Sequence, residues 1–188
     1  MTGHQGLMKE HVSSERSASH PARPLVLGIG NVLMGDEGVG VHAIRLLETQ
    51  QLPPPVAVID GGTGGFHLLS FFEDYDPIII IDATMDGRRA GTVLVTQPRF
   101  ASDFPRTLSA HDIGLRDLLE SASLLGPLPR LYLITVSVEN LQAMHMELSR
   151  PVREALGEVA LRVKEIVEAE LQGAPHASDA RKDSDSHG

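Results

Sequence analysis

"LGIGNVLMGDEGVG", residues 27–40, decides how this chain folds. Its first residues continue the apolar run "PLVLGIGN", the pattern of a strand buried on both faces. Its end leads into "VGVHAIRLLETQQ", where Val39, Ala43, Leu46 and Leu47 have helical spacing. A strand, a glycine-rich loop and a helix in this order commonly hold a phosphate on backbone N–H groups. Here two adjacent acids, Asp36 and Glu37, stand where the phosphate would lie. Gly28 and Gly30 match the start of GxGxxG, but Leu33 occupies the third glycine position. Asp60 also lies farther along the chain than the ribose-binding acid of a dinucleotide site, which falls about 20 residues on. A Rossmann-like nucleotide site is therefore the weaker alternative. The simplest structural role for Asp36 or Glu37 is to cap the helix that follows.

Outward from this unit the pattern alternates. "VAVIDGG" reads as a second buried strand and "GFHLLSFFEDY" as a second amphipathic helix. "PIIIIDAT" and "GTVLVTQP" are further strands, and a helix across "HDIGLRDLLESASLL" precedes the fifth strand, "RLYLITVSV". A last helix opens at Ser149, with Pro151 near its first turn. The β-α-β-α-β order predicts a three-layer α/β domain with a mostly parallel sheet. Between Asp82 and Gly91 there is no room for the dozen or so residues of a parallel crossover. The "GTVLV" strand is accordingly expected to run antiparallel, making a mixed sheet. Residues 1–23 and 173–188 are polar and aperiodic, so they are expected to be disordered extensions of a domain at 24–172.

Composition narrows the function. The 188 residues carry a formal net charge of -9, which argues against general binding to nucleic acid or an anionic membrane. No apolar run approaches the roughly 20 residues of a membrane span, and the N-terminal stretch has no apolar core of the signal-peptide kind. A cytoplasmic location is the expectation. There is no cysteine, which removes disulfides, thiol nucleophiles and thiolate metal sites together. A metal held by this chain must use carboxylates, histidine or backbone oxygen, a harder donor set. No G-x-S-x-G elbow supplies a serine nucleophile.

Ligands of doubly wound sheets bind beyond the carboxyl ends of the strands, where the winding reverses. With the second and third strands on opposite sides of the first, that crevice lies between strands one and three. Glu37 follows the first strand, Asp82 ends the third, and His111 in "SAHDIGL" is placed to reach the same edge. Together they form an N/O set suited to nickel, zinc or manganese. Asp60, in "DGGT", is expected to hold the Gly61-Gly62 turn, and His42, His67 and His145 to be packing or surface residues. Five of the nine histidines (His4, His11, His20, His176 and His187) are scattered through the two terminal stretches.

"GIGNVLMGDEGVG", "DGGTGG", "IIIIDAT" and "SAHDIGL" occur in the order, and near the spacing, of the nickel-iron hydrogenase maturation endopeptidases, which the chain resembles over roughly residues 25–170. The resemblance implies a three-layer fold on a five-stranded mixed sheet with one antiparallel strand. It implies an aspartic-type or metal-dependent endopeptidase that cuts a C-terminal extension from the hydrogenase large-subunit precursor once nickel is in place. The family's nickel ligands match Glu37, Asp82 and His111. Asp36, Glu37 and Asp82 are the catalytic candidates, Asp36 and Asp60 support the site, and the glycines let a precursor tail approach the backbone. Nickel would arrive on the precursor's own thiolates and be held only loosely by the free enzyme. A module that binds the nickel precursor without cutting it is the alternative within this reading.

Overall fold

The computed structural model describes residues 23–63, 65–99, 103, 115–141 and 144–173. The chain runs β1 (Leu25–Gly28), α1 (Val39–Gln50), β2 (Ala57–Asp60), α2 (Leu69–Asp74), β3 (Ile78–Thr84), β4 (Val93–Thr96), α3 (Leu115–Leu125), β5 (Leu131–Ser137) and α4 (Arg150–Gly173). The sheet order is β2-β1-β3-β5-β4. The β1–β2, β1–β3 and β3–β5 pairs are parallel, and β4 runs antiparallel beside β5. The short link after Asp82 thus gives the antiparallel strand that its length demands. Apart from Arg23 and Gly173, the terminal stretches 1–23 and 173–188 lie outside the described residues, as does the 111–114 part of the expected third helix.

Strand residues alternate between two cores, as the period of a β-strand requires. Val26, Ile79, Ile81, Ile134 and Val136 point to one face, where Ile44 and Leu47 of α1 meet Val152, Val159 and Val163 of α4. Leu25, Leu27, Ile78, Ile80, Leu131 and Leu133 point to the other, against Phe72 of α2 and Leu118 and Leu119 of α3. Ile78, Ile79, Ile80 and Ile81 are all fully buried, each contributing about 1.5–3 kcal/mol by its removal from water. A strand covered on both faces reads as an unbroken apolar run, which explains "PIIIIDAT". Among the described residues no helix is long and apolar enough to cross a membrane.

The functional edge depends on how closely α1 lies on β1. A Cβ built on Gly28 would fall 2.3 Å from the carbonyl oxygen of Gly40, and one on Gly40 would fall 2.2 Å from that of Ile29 and 2.5 Å from that of Ile81. These neighbours are backbone atoms of α1, of the residue after β1 and of β3, and cannot swing aside. We expect Gly40→Ala to destabilise the protein by about 3 kcal/mol, the upper range of overpacking, as read by chemical denaturation.

Candidate active site

The chain leaves β1 for β2 on one side and returns to β3 on the other, so the winding reverses between the carboxyl ends of β1 and β3. The Ile29 N–H donates to the Ile81 carbonyl at 2.9 Å, carrying the β1–β3 contact right up to this edge. Beyond it, residues Gly35–Gly38 form a 3-10 turn that packs against β3 and leads into α1. Glu37 lies in that turn, and Asp82 is on β3; they are 2% and 1% exposed. Asp82 Oδ1 accepts the Ala83 N–H at 2.7 Å, whereas Oδ2 is buried with no hydrogen-bond partner among the described residues. Burial pushes the Asp82 carboxyl well above its ordinary range; the Ala83 N–H works against this, and the nearby Glu37 charge adds to it.

Two acids buried within electrostatic reach of each other, one with an oxygen left over, make a poor structural pair and a good cation receptor. Both are hard oxygen donors, which fits a divalent ion. His111, expected as the third ligand, lies outside the described residues. Among the described residues no group of three His, Asp or Glu side chains is assembled for a metal ion.

The loop that carries Glu37 is tied on both flanks. Asn31 turns it, with Oδ1 accepting from the Leu33 N–H at 2.9 Å and its carbonyl accepting from Met34 at 3.0 Å. On the β2 side, Gly30 N–H donates to the Gly62 carbonyl and Gly61 N–H to the Gly28 carbonyl, both at 2.8 Å. Asp60 Oδ1 accepts the Gly62 N–H at 2.8 Å, the turn-holding role that "DGGT" suggests. On the α4 side runs residues 144–149, a strap that exchanges two backbone bonds with the loop: Gly35 N–H to the His145 carbonyl at 2.6 Å, and His145 N–H to the Leu33 carbonyl at 3.2 Å. His42 on α1 lies close enough to the backbone of Met146 to feel its polar groups. Asp36 completes the attachment, its Oδ1 accepting the Ser149 N–H at 2.6 Å.

The structure therefore brings Glu37 and Asp82 together and joins Asp36 to Ser149 at the start of α4. The N-cap position of α1 is taken by Gly38, which has no side chain to offer its first turn. The cap-like contact is made by Asp36 at the start of α4, because the 3-10 turn separates the acids from the first residue of α1. The glycines of the first loop also differ from expectation. A Cβ on Gly30 would lie 2.0 Å from the Glu37 carbonyl oxygen, and one on Gly38 2.9 Å from the Val32 Cα. They let the loop pack on itself, whereas Gly62, at φ +54° with open space around it, leaves the backbone accessible. Sequence reasoning missed the strap. Ser149 is 113 residues from Asp36, and nothing periodic in "AMHMELS" signals the pairing. The strap and its neighbours give this edge an exposed apolar rim of Leu33, Met85, Met144 and Met146, Met144 being 88% exposed.

Known proteins share this architecture and sequence. The hydrogenase-maturating endopeptidase HybD from Escherichia coli superposes with a TM-score of 0.71 at 33% identity, covering 79% of this chain and 93% of that one. The hydrogenase 2 maturation protease of Escherichia coli K12 is 38% identical over 143 residues, 74% of this chain and 86% of the relative. The hydrogenase expression/formation protein HoxM of Azotobacter vinelandii is 40% identical over 145 residues, 74% of this chain and 69% of the relative. The match to the hydrogenase expression/formation protein HupD of Rhodobacter capsulatus, 41% identical, takes in 60% of this chain and spans about half, 55%, of that protein. Residues 41–167 match the family described as hydrogenase maturation protease, a segment that contains Asp82 and begins just after Glu37. The chain belongs to the hydrogenase maturation protease family.

Proposed function

We propose that this protein is the endopeptidase that removes the C-terminal extension of a hydrogenase large-subunit precursor, and that it recognises the nickel already seated in that substrate. The observation that carries this reading is the buried Glu37–Asp82 pair at the switch point, with Asp82 Oδ2 unpartnered and facing the charge of a second acid. A cation presented by a docking protein relieves that repulsion. Glu37, Asp82 and His111 are the residues assigned to complete its shell. Because these donors are hard or borderline and include no thiolate, the free enzyme holds nickel loosely and the ion belongs to the substrate. The apolar rim of Leu33, Met85, Met144 and Met146 supports a protein substrate, since it offers a contact surface beside the carboxylates.

Peptide hydrolysis adds one water across the scissile bond. A base takes a proton from the water, and the leaving amine receives one. Asp36 is tied to the Ser149 N–H, whereas Glu37 and Asp82 are buried together at the switch point, and proton transfer is assigned to them. Burial biases Asp82 of the free enzyme toward its neutral form, and it gives up that proton on binding the cation, while Glu37 suits the acceptor role. The absence of cysteine leaves no thiol nucleophile in this chain.

Mixing the purified protein with nickel-loaded or nickel-free precursor and weighing the products by mass spectrometry tests the proposal. Nickel-loaded precursor is expected to lose its C-terminal peptide. Nickel-free precursor should stay intact even with enzyme in excess. Capture of the loaded precursor without cleavage would identify a binding module, and efficient cutting of nickel-free precursor would remove nickel from the recognition step.

A further inference from the structure

We propose that Asp36 is a positioning residue: its carboxylate latches the loop bearing Glu37 to Ser149, the residue that leads into α4, and so fixes where Glu37 stands. The inference rests on the reading of Glu37 given above. Asp36 and Glu37 are consecutive residues of one 3-10 turn, so whatever holds one restrains the other. Asp36 Oδ1 accepts the Ser149 N–H at 2.6 Å, and the Ser149 carbonyl in turn accepts the Arg153 N–H at 2.9 Å, the first turn of the 24-residue helix α4. The acceptor is therefore fastened to a long, well-packed element, with Val152 and Val159 fully buried beneath it. The helix dipole adds a favourable field for an acid at that end. Two backbone bonds between the loop and His145 lie alongside. Those two fix the loop's main chain at Leu33 and Gly35, ahead of Glu37, and Asp36 supplies the side-chain tie immediately next to it.

This assignment separates the two adjacent acids. Glu37 acts on the substrate, while Asp36 acts through the backbone at Ser149. A positioning acceptor needs an oxygen at Oδ1 but no negative charge, whereas a general base needs the carboxylate itself. Asn keeps the first and removes the second; Ala removes both.

The experiment compares wild type, Asp36→Ala and Asp36→Asn in cleavage of nickel-loaded precursor, with amide hydrogen exchange measured on the same proteins. Asp36→Ala should lower kcat/KM about 10- to 100-fold, the scale on which small misplacement of a reacting group acts. The Ser149 amide and the 33–37 backbone should exchange about tenfold faster in that variant, with the amides of β3 unchanged. Asp36→Asn should recover most of the lost cleavage and most of the protection. Loss of cleavage in Asp36→Asn equal to that in Asp36→Ala, with protection intact, would overturn the proposal in favour of a catalytic carboxylate. Unchanged exchange at Ser149 in Asp36→Ala would overturn it outright. Should the Ala variant not fold, Asp36→Asn alone decides, cleavage near wild type supporting the latch and its loss overturning it. If wild type does not cut the precursor, the functional reading fails, and the exchange data still judge the latch.

Discussion

Asp82→Asn abolishes processing of nickel-loaded precursor and leaves the fold at least as stable as wild type at neutral pH. The two halves of this expectation come from one observation. Asp82 is 1% exposed, has one oxygen without a partner, and feels the charge of Glu37. Keeping a carboxylate there with only one oxygen hydrogen-bonded costs free energy, and a neutral amide of the same shape removes about 1–2 kcal/mol of it, a typical trade between stability and function. The sign with pH follows. The folded-state pKa of Asp82 is raised, by burial above all, so its contribution to wild-type stability is fully present below the ordinary carboxylate range and is lost as pH rises through the raised value. The advantage of Asp82→Asn should therefore be largest at neutral and alkaline pH and shrink on acidification. Thermal melts across pH, paired with the cleavage assay, check both halves. A variant that unfolds would make Asp82 a turn residue, and one that cuts normally would take it out of the site.

The same residue shows how far sequence reaches. Four isoleucines followed by an acid imply a strand buried on both faces that ends in a carboxylate; Ile78–Thr84 is that strand, but it runs two residues beyond Asp82. The antiparallel β4 was legible too, because chain length alone forbids a parallel crossover after Asp82. Both inferences rest on local rules of period and reach. The partner of Asp36 obeys no such rule. It is an amide, a group that every residue except proline carries, and it lies 113 residues away. The glycines misled for a related reason. "GIGN" signals close approach of something to the backbone, but not whether that something is a ligand or the chain's own helix. Here Gly28 receives the carbonyl of Gly40. The strap at 144–149 was invisible because it is neither strand nor helix and joins the loop through main-chain groups.

Glu37→Gln is the second large effect, and it isolates charge from shape. Gln preserves the length, the planar group and one acceptor oxygen, while removing the negative charge that a cation senses and the basicity that a water proton requires. Cleavage of nickel-loaded precursor is expected to fall at least about 100-fold, a scale typical of losing a positioned acid or base. Stability should change by no more than about 1 kcal/mol. Gln keeps an acceptor oxygen in place, and taking away the charge relieves part of the repulsion on Asp82. That relief has its own readout: the Asp82 carboxyl should titrate lower in Glu37→Gln than in wild type, though burial, the larger cause, still holds it high. Carbon-detected NMR of the Asp82 carboxyl across pH measures the change. Lost cleavage with a lowered Asp82 titration places both acids in one electrostatic unit. Retained cleavage would free Glu37 of any part in recognition or proton transfer, and an unmoved Asp82 titration would mean that the two carboxyls do not act on each other. The comparison with Asp36→Asn then becomes decisive for the loop as a whole: two neighbouring acids, each made neutral with little change of shape, should give opposite results, because one meets the substrate and the other meets α4.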